Sequence, residues 1–203
     1  MTLRGQIKRI QRLVGVKDDG IFGPVTAGAV VQSLDTGVDT PPPIDTDRVS
    51  FGTRTEGMLA TLDPKAQAKF RPFIAAAQAA AAGMGFDLIA ISGNRSWEEQ
   101  DRIYEQGRTE PGNIVTNARG GQSNHNFGIA LDFGVFRDLR YLDETEPATA
   151  SAVYKAIGHI APEYGIEWGG WWKGFKDEPH FQIATGLTMP QKRKLFKKEG
   201  TIL

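Results

Sequence analysis

Three histidines and no cysteine narrow the chemistry that this 203-residue chain can perform. Without cysteine there is no disulfide, no thiolate nucleophile and no cysteine-bound zinc or iron–sulfur centre, so any metal must be held by nitrogen and oxygen ligands. The histidines are His125, His159 and His180. Two of them stand near aspartates, and these two neighbourhoods are the candidate sites.

The first neighbourhood is the stretch 123–133, SNHNFGIALDF. If the chain is a strand from Ile129 onward, its two-residue period sends Asp132 to a face that it shares with alanine and glycine. These small side chains leave room beside the carboxylate, and a lone buried carboxylate is costly unless it is paired or bound to a metal. Gly128 lets the preceding backbone fold back, so that His125 and Asp132 can converge.

The second neighbourhood is the stretch 177–183, DEPHFQI. Pro179 favours a turn or the beginning of a strand, so that Asp177 and His180 can face one cavity. The two neighbourhoods together supply two histidines and one carboxylate, the ligand set of a catalytic zinc site that keeps a position open for water. The second carboxylate can then serve as a proton acceptor.

His159 is interpreted differently. In the predicted helix 149–164 it falls in an i, i+4 row with Lys155 and Glu163, opposite the apolar stripe. We therefore expect His159 to be exposed to solvent and to bind no metal.

The elements that must position these residues alternate between helices and strands after residue 50. A period near 3.6, or a capping residue before an apolar run, indicates each helix, and short apolar runs indicate the strands. The predicted helices are 64–82, 97–106, 149–164 and 190–198, and the predicted strands are 87–92, 127–135 and 179–184. This pattern predicts an α+β fold with a small antiparallel sheet and flanking helices.

A proline-rich stretch divides the chain. Residues 36–50 contain three consecutive prolines, which favour an extended linker over a helix or central strand. The alternative is a long loop within a single domain. We predict a helical module at 1–35, a linker at 36–50 and a catalytic domain at 51–203.

Composition and charge exclude some partners. The 24 lysines and arginines balance 24 acidic residues, so no basic field indicates a nucleic-acid partner. No run approaches the roughly 20 apolar residues of a membrane span. Charges stand where a signal peptide would have its apolar stretch, so no export signal is expected.

At the first site, Ser123-x-His125-x-x-Gly128-x-Ala130-x-Asp132 is similar, position by position, to the signature of the D-alanyl-D-alanine metallopeptidases. That family includes the vancomycin-resistance D,D-peptidases and the phage L-alanyl-D-glutamate endolysins, within the wider lysostaphin and hedgehog group. Its members have the α+β fold expected here.

Three other segments resemble the same family in the same order. DEPHF at 177–181 is similar to its acidic-x-x-His element, and EWGG at 167–170 to its Trp-Gly-Gly stretch. GNRS at 93–96, with Gln100, is similar to its Gly-aromatic-Arg-Ser segment. The resemblance covers most of residues 85–185.

The resemblance implies a zinc ion held by His125, Asp132 and His180. Asp177 would be the general base that takes a proton from the attacking water and returns it to the leaving amine. Arg95 would stabilise the developing oxyanion, a role that suits a guanidinium.

Three other residues near the motifs are candidates for further roles. Glu178 competes with Asp177 as the base but sits one residue off the spacing. Ser123 and Gln100 are predicted to contact substrate, and the alternative for Ser123 is a hydroxyl that caps a turn.

Two further segments bear on partners. DGIFGPVT at 19–26 resembles the peptidoglycan-binding modules found beside cell-wall hydrolases, and the alternative is a helical hairpin that packs on the next domain. The basic helix 190–198 is either a solvated helix with cations at its favourable end or a contact for anionic envelope surfaces.

We therefore expect a monomeric, phage-type endolysin that uses zinc to hydrolyse the peptide stems of bacterial peptidoglycan at the L-Ala–D-Glu bond. It would be made in the host cytoplasm and act on the wall after release. The alternatives are a D-Ala–D-Ala carboxypeptidase or a non-catalytic wall-binding protein on the same fold. A serine hydrolase is disfavoured, because Ser123 and His125 are too close in sequence for a triad and no nucleophile elbow is present.

Overall fold

The computed structural model describes residues 51–203. The predicted N-terminal module (1–35) and linker (36–50) lie outside the described residues and stay predictions. Within 51–203, no helix combines the length and apolar character needed to cross a bilayer.

Two consecutive helices open the described region: α1 (Thr53–Ala60) and α2 (Pro64–Gly83). The apolar spacing predicts α2 to within one residue. In the structure Asp63 caps this helix by accepting a hydrogen bond from the Lys65 N–H at 2.8 Å, and proline occupies its first turn. Helix α1 was not predicted, since it has only eight residues and buries only Thr55 and Leu59.

The sheet has five strands and is antiparallel throughout. Its main order is β1-β2-β5-β4, and the short β3 pairs with β2. The bounds are β1 (Asp87–Ser92), β2 (Ala130–Arg137), β3 (Arg140–Tyr141), β4 (Ile166–Trp168) and β5 (His180–Ile183). Helices flank this sheet, so the predicted α+β class is confirmed.

Four more helices complete the domain: α3 (Trp97–Glu105), α4 (Leu142–Thr145), α5 (Pro147–Ile160) and α6 (Met189–Glu199). Three single turns of 3₁₀ helix cover Asn124–Phe127, Ala161–Tyr164 and Gly169–Trp171. The single helix predicted over 149–164 is wrong at its end, where α5 gives way to a 3₁₀ turn containing Pro162, which has no N–H to continue an α-helix.

The strand predicted from Phe127 begins later than expected. Residues Asn124–Phe127 form a 3₁₀ turn, and Gly128 then adopts the left-handed conformation with φ 65° and ψ 30°, so that β2 begins at Ala130. The predicted alternation within the strand is confirmed, since Leu131, Phe133 and Val135 are fully buried.

An aromatic cluster on α2 and the sheet forms the centre of the core. The Phe73 ring lies 5.2 Å from that of Phe181, 6.2 Å from that of Phe133 and 6.0 Å from that of Tyr164, measured between centroids. Phe73 therefore joins α2 to the two central strands that carry the candidate site.

The C-terminal helix α6 does not present all its cations to solvent. Lys192 is only 4% exposed, and its ammonium donates to the Asn124 side chain, whereas Lys194, Lys197 and Lys198 are exposed. A surface contact by this helix stays a prediction, and Lys192 would take no part in it.

We expect Phe73→Ala to lower the free energy of unfolding by about 3–5 kcal/mol, because it removes a ring from a closed core. Phe175→Ala is the matched control, since Phe175 is 65% exposed, and should change stability by at most about 0.5 kcal/mol. Urea unfolding measures both, and equal losses would contradict the assigned core.

Candidate metal centre and active site

The register between β2 and β5 sets Asp132 directly opposite His180. Directly opposed residues on neighbouring antiparallel strands project to the same face of a sheet, so the carboxylate and the imidazole meet. His125 comes from the 3₁₀ turn before β2, and the left-handed Gly128 turns the chain into the strand. A Cβ at Gly128 would lie 2.8 Å from the Asp63 nitrogen, so the close approach of these loops requires glycine.

Three side-chain atoms from these residues form a nearly equilateral triangle. His125 Nε2 lies 3.1 Å from Asp132 Oδ1, and His180 Nδ1 lies 3.0 Å from the same oxygen. The two ring nitrogens are 3.2 Å apart. The structure thus brings together all three predicted ligands.

The outer nitrogen of each imidazole has its own acceptor. His125 Nδ1 lies 2.7 Å from the Gly93 carbonyl oxygen, and His180 Nε2 lies 3.0 Å from Gln182 Oε1. A neutral ring that donates outward through one nitrogen presents the lone pair of the other, so both inner nitrogens are ready to bind a cation.

The donor set fits a zinc ion. Tetrahedral zinc with bonds of about 2.0–2.1 Å holds its ligand atoms about 3.3 Å apart, close to the observed sides of the triangle. His125 and His180 are buried, whereas the Asp132 side chain keeps 23% of its surface exposed. Three protein ligands with one open side are the arrangement of catalytic zinc sites.

The charges at the centre favour a bound cation. Burial alone would raise the pKa of Asp132, but the charges of His125 and His180 and their hydrogen bonds outweigh it and hold the pKa far below its usual range. Burial likewise opposes the charge of His180, yet the hydrogen bond and charge of Asp132 raise the pKa of this imidazole. An ionised carboxylate that already attracts positive charge is ready to bind a cation.

Asp177 is held beside the triangle by its main chain. Its N–H donates to the Gly169 carbonyl at 3.2 Å, and its carbonyl accepts from the His180 N–H at 3.3 Å. A Cβ at Gly169 would lie 2.5 Å from the Asp177 carbonyl oxygen, so only glycine allows this approach. Gly169 of the Trp-Gly-Gly stretch thus allows the main chain to hold Asp177 at this place.

The carboxyl group of Asp177 lies in the electrostatic field of the three ligands. Burial raises its pKa, and the charge of Asp132 raises it further, against the opposing influence of His180 and His125. A carboxylate with a raised pKa is a better proton acceptor, which is the property required of a general base. Glu178, the competing candidate, instead accepts a hydrogen bond from the Ser151 hydroxyl at 2.9 Å.

Arg95 follows β1 and is tied to the same centre. Its main-chain N–H donates to the His125 carbonyl at 3.1 Å, and its guanidinium donates to Ser92 Oγ at 3.0 Å and Gln100 Oε1 at 2.9 Å. Gln100 is completely buried and donates in turn to the Ala118 carbonyl at 2.8 Å. Gln100 therefore holds the Arg95 guanidinium in place through a hydrogen bond. The predicted contact of Gln100 with substrate stays a prediction.

The structure also locates Ser123 and His159, two residues discussed in the sequence analysis. Ser123 caps the 3₁₀ turn, since its hydroxyl oxygen accepts from the His125 N–H at 3.4 Å, as the capping interpretation requires. Its contact with substrate stays a prediction. His159 is exposed on α5, as expected, and the one His/Asp/Glu cluster that residues 51–203 offer for a metal does not include it.

Two residues beside His180, Gln182 and Trp172, are not among the site residues predicted from the sequence. Gln182 shares a face of β5 with His180, so the two-residue strand period could have revealed it. The Trp172 ring lies 5.0 Å from the His180 ring, beside an open pocket of about 360 Å³. That pocket is lined by Pro162, Ile166, Glu167, Trp168, Trp171 and Trp172.

Known proteins share this segment. Residues 116–183 match a family model described as D-alanyl-D-alanine carboxypeptidase. The peptidoglycan L-alanyl-D-glutamate endopeptidase CwlK of Bacillus subtilis (strain 168) is 44% identical over 115 residues, which are 53% of this chain and 67% of that protein. The chain belongs to the D-alanyl-D-alanine peptidase family. Membership makes it a metallopeptidase, and the segment 116–183 contains the three candidate ligands and Asp177.

Solved structures show a looser likeness. The L-Ala D-Glu endopeptidase ChiX of Serratia marcescens is 24% identical with a TM-score of 0.45, covering 69% of this chain and 93% of its own. DacB from Streptococcus pneumoniae D39 is 23% identical with a TM-score of 0.43, covering 69% and 77%. The vancomycin-resistance D,D-dipeptidase VanXYg is 18% identical with a TM-score of 0.43, covering 68% and 60%.

His180→Ala should weaken zinc binding by at least about 100-fold, because it removes one of three protein ligands. His159→Ala is the matched control and should bind zinc as the wild type does. Isothermal titration of the metal-free proteins with zinc measures both. Equal affinity in the two variants would contradict the ligand assignment.

Proposed function

We propose that the chain is a zinc-dependent peptidoglycan endopeptidase that hydrolyses the peptide stem at the L-Ala–D-Glu bond. The observation that carries this proposal is the convergence of His125, Asp132 and His180 at about 3 Å from one another beside the Asp177 carboxyl. The endopeptidase relative, which is 44% identical over 115 residues, supports the choice of substrate and bond.

The metal would be held by His125 Nε2, His180 Nδ1 and the Asp132 carboxylate. When bound, it would act as a Lewis acid that polarises the scissile carbonyl and lowers the pKa of water. The protein's own side chains would transfer the protons and stabilise the developing charge. The Asp132 side chain keeps 23% of its surface exposed, so the centre would be open to a peptide and a water molecule on that side.

Asp177 would take a proton from the attacking water and pass it to the leaving amine. Its half-buried position and the negative charge of Asp132 raise its pKa, so its carboxylate holds a proton more readily than an exposed aspartate would. Its backbone hydrogen bonds to Gly169 and His180 keep it at a fixed place beside the ligands.

Arg95 would stabilise the negative charge that develops on the carbonyl oxygen. Gln100 and Ser92 hold its guanidinium, and this preorganisation lowers the cost of aligning a donor with the transition state. Dedicated support for both Arg95 and Asp177 favours a catalyst over a wall-binding protein, which would need neither group to be held in place.

The second candidate is a D-Ala–D-Ala carboxypeptidase, which the description of the matching family favours. Both reactions need the same centre and differ only in which bond of the stem is held there. The curated relative favours the endopeptidase.

A lytic role of the phage endolysin type is part of the same proposal. It is supported by the segment 19–26, which resembles peptidoglycan-binding modules, and by the proline-rich stretch that separates it from the catalytic domain. Such a module would hold the enzyme on the wall that it cleaves.

Asp177→Asn should lower turnover on purified peptidoglycan by about 100-fold or more, because an amide cannot accept the proton. Its zinc affinity and stability should stay close to those of the wild type. Glu178→Gln is the neighbouring control and should keep most of its activity. Full activity in Asp177→Asn would reassign the base.

Mass analysis of digested peptidoglycan identifies the bond. We expect fragments whose stems have been cut between L-Ala and D-Glu, with loss of cleavage after chelation and its return on adding zinc. Release of D-alanine alone would favour the carboxypeptidase. Intact stems under every metal condition would contradict both peptidase proposals.

A further inference from the structure

A buried chain of hydrogen bonds runs behind His180 and ends in two opposite charges. Gln182 lies at its centre, where Oε1 accepts from His180 Nε2 at 3.0 Å and also from the Asn124 amide. In one direction Gln182 Nε2 donates to Glu167 Oε2 at 2.7 Å. In the other, Asn124 Oδ1 accepts from Lys192 Nζ at 2.7 Å.

The two ends fix the direction of every bond between them. An ammonium can only donate, so Asn124 must turn its oxygen toward Lys192 and its NH₂ toward Gln182. A carboxylate can only accept, so Gln182 must turn its NH₂ toward Glu167 and its oxygen inward. An amide alone has no such preference, because its oxygen and nitrogen are similar in shape.

The inward oxygen of Gln182 then selects the form of His180. An oxygen needs a donor, so His180 must carry its proton on Nε2, and its lone pair is left on Nδ1, the atom that faces His125 and Asp132. If both amides turned over, the NH₂ of Gln182 would face His180 Nε2. The proton would then move to Nδ1, where it blocks a metal.

We propose that Lys192 and Glu167 are positioning residues that set the tautomer of His180 and thereby prepare the metal centre. The proposal rests on the proposed zinc site, which it deepens. Neither residue touches the three ligands, and both act through the amides of Asn124 and Gln182.

The location of Lys192 supports a role beyond packing. It is 4% exposed on α6, and burial lowers its pKa, against a smaller opposing effect from Glu167. A buried cation is costly, and an apolar side chain would cover Asn124 without this cost. Its hydrogen bond spans 68 residues and joins the C-terminal helix to the turn that carries His125.

One variant reverses the charge at the exposed end of the chain of bonds. Glu167→Lys replaces the acceptor of the Gln182 NH₂ with a donor, so only Lys192, acting through Asn124, still favours an inward Gln182 oxygen; the preference should weaken, while the exposed position protects the fold. Glu163→Lys makes the same change of charge on an exposed residue nearby in sequence and is the matched control. Zinc affinity should fall about 10- to 100-fold in the first and at most about twofold in the control.

A second variant removes the buried end. Lys192→Met keeps an unbranched side chain that is one atom shorter, and it no longer requires the Asn124 oxygen to face it, so we expect a loss of about tenfold in zinc affinity. Lys194→Met, on the exposed side of the same helix, is its control and should bind zinc normally. Should Lys192→Met fail to fold, the result for Glu167→Lys alone decides.

Nitrogen NMR of the three histidines in the metal-free protein gives a direct readout of the tautomer. At the alkaline end of a titration, His180 should carry its proton on Nε2 in the wild type and both controls, and shift toward Nδ1 in Glu167→Lys. A merely structural role would leave this tautomer unchanged. Unchanged tautomer and unchanged zinc affinity in Glu167→Lys would overturn the inference, whereas a wild type that binds no zinc would overturn the proposed function instead.

Discussion

The pairing of β2 with β5 in a register that places Asp132 opposite His180 is the constraint on which the site depends. A slip of one residue would send one of these side chains to the core face, which is filled by Leu131, Phe133 and Phe181. The aromatic core and the candidate centre are therefore two faces of the same pair of strands. Packing on one face holds the ligands in place on the other, and His125 joins them through the turn at Gly128.

Hydrogen bonds on the outer side of the two imidazoles orient these ligands, in addition to the strand register. The Gly93 carbonyl and the Gln182 amide each accept from one imidazole, so the inner nitrogens are left to bind a cation beside an ionised carboxylate. Polar groups buried in this way are stabilising only when every donor has an acceptor. Through Asn124 this requirement extends from the centre to the C-terminal helix, where the buried Lys192 supplies the last donor.

Local patterns allowed much of this to be predicted from the sequence. Strand β1 and helix α2 follow from an apolar run and from apolar residues at helical spacing, and the three candidate ligands follow from residue types and from the resemblance to the peptidase family. The roles of Gln182 and Lys192 could not be predicted, because they depend on which residues the fold brings next to His180 and Asn124. The short strand β4 was also missed, since three residues carry too little periodicity to be distinguished from a loop.

The central claim is that one divalent ion binds between the two central strands. Anomalous diffraction at the zinc edge, from crystals of the zinc-loaded protein, tests it most directly. The account predicts a single strong peak about 2.0–2.1 Å from His125 Nε2, His180 Nδ1 and an oxygen of Asp132. A peak held by other residues, or none at this position, would contradict it.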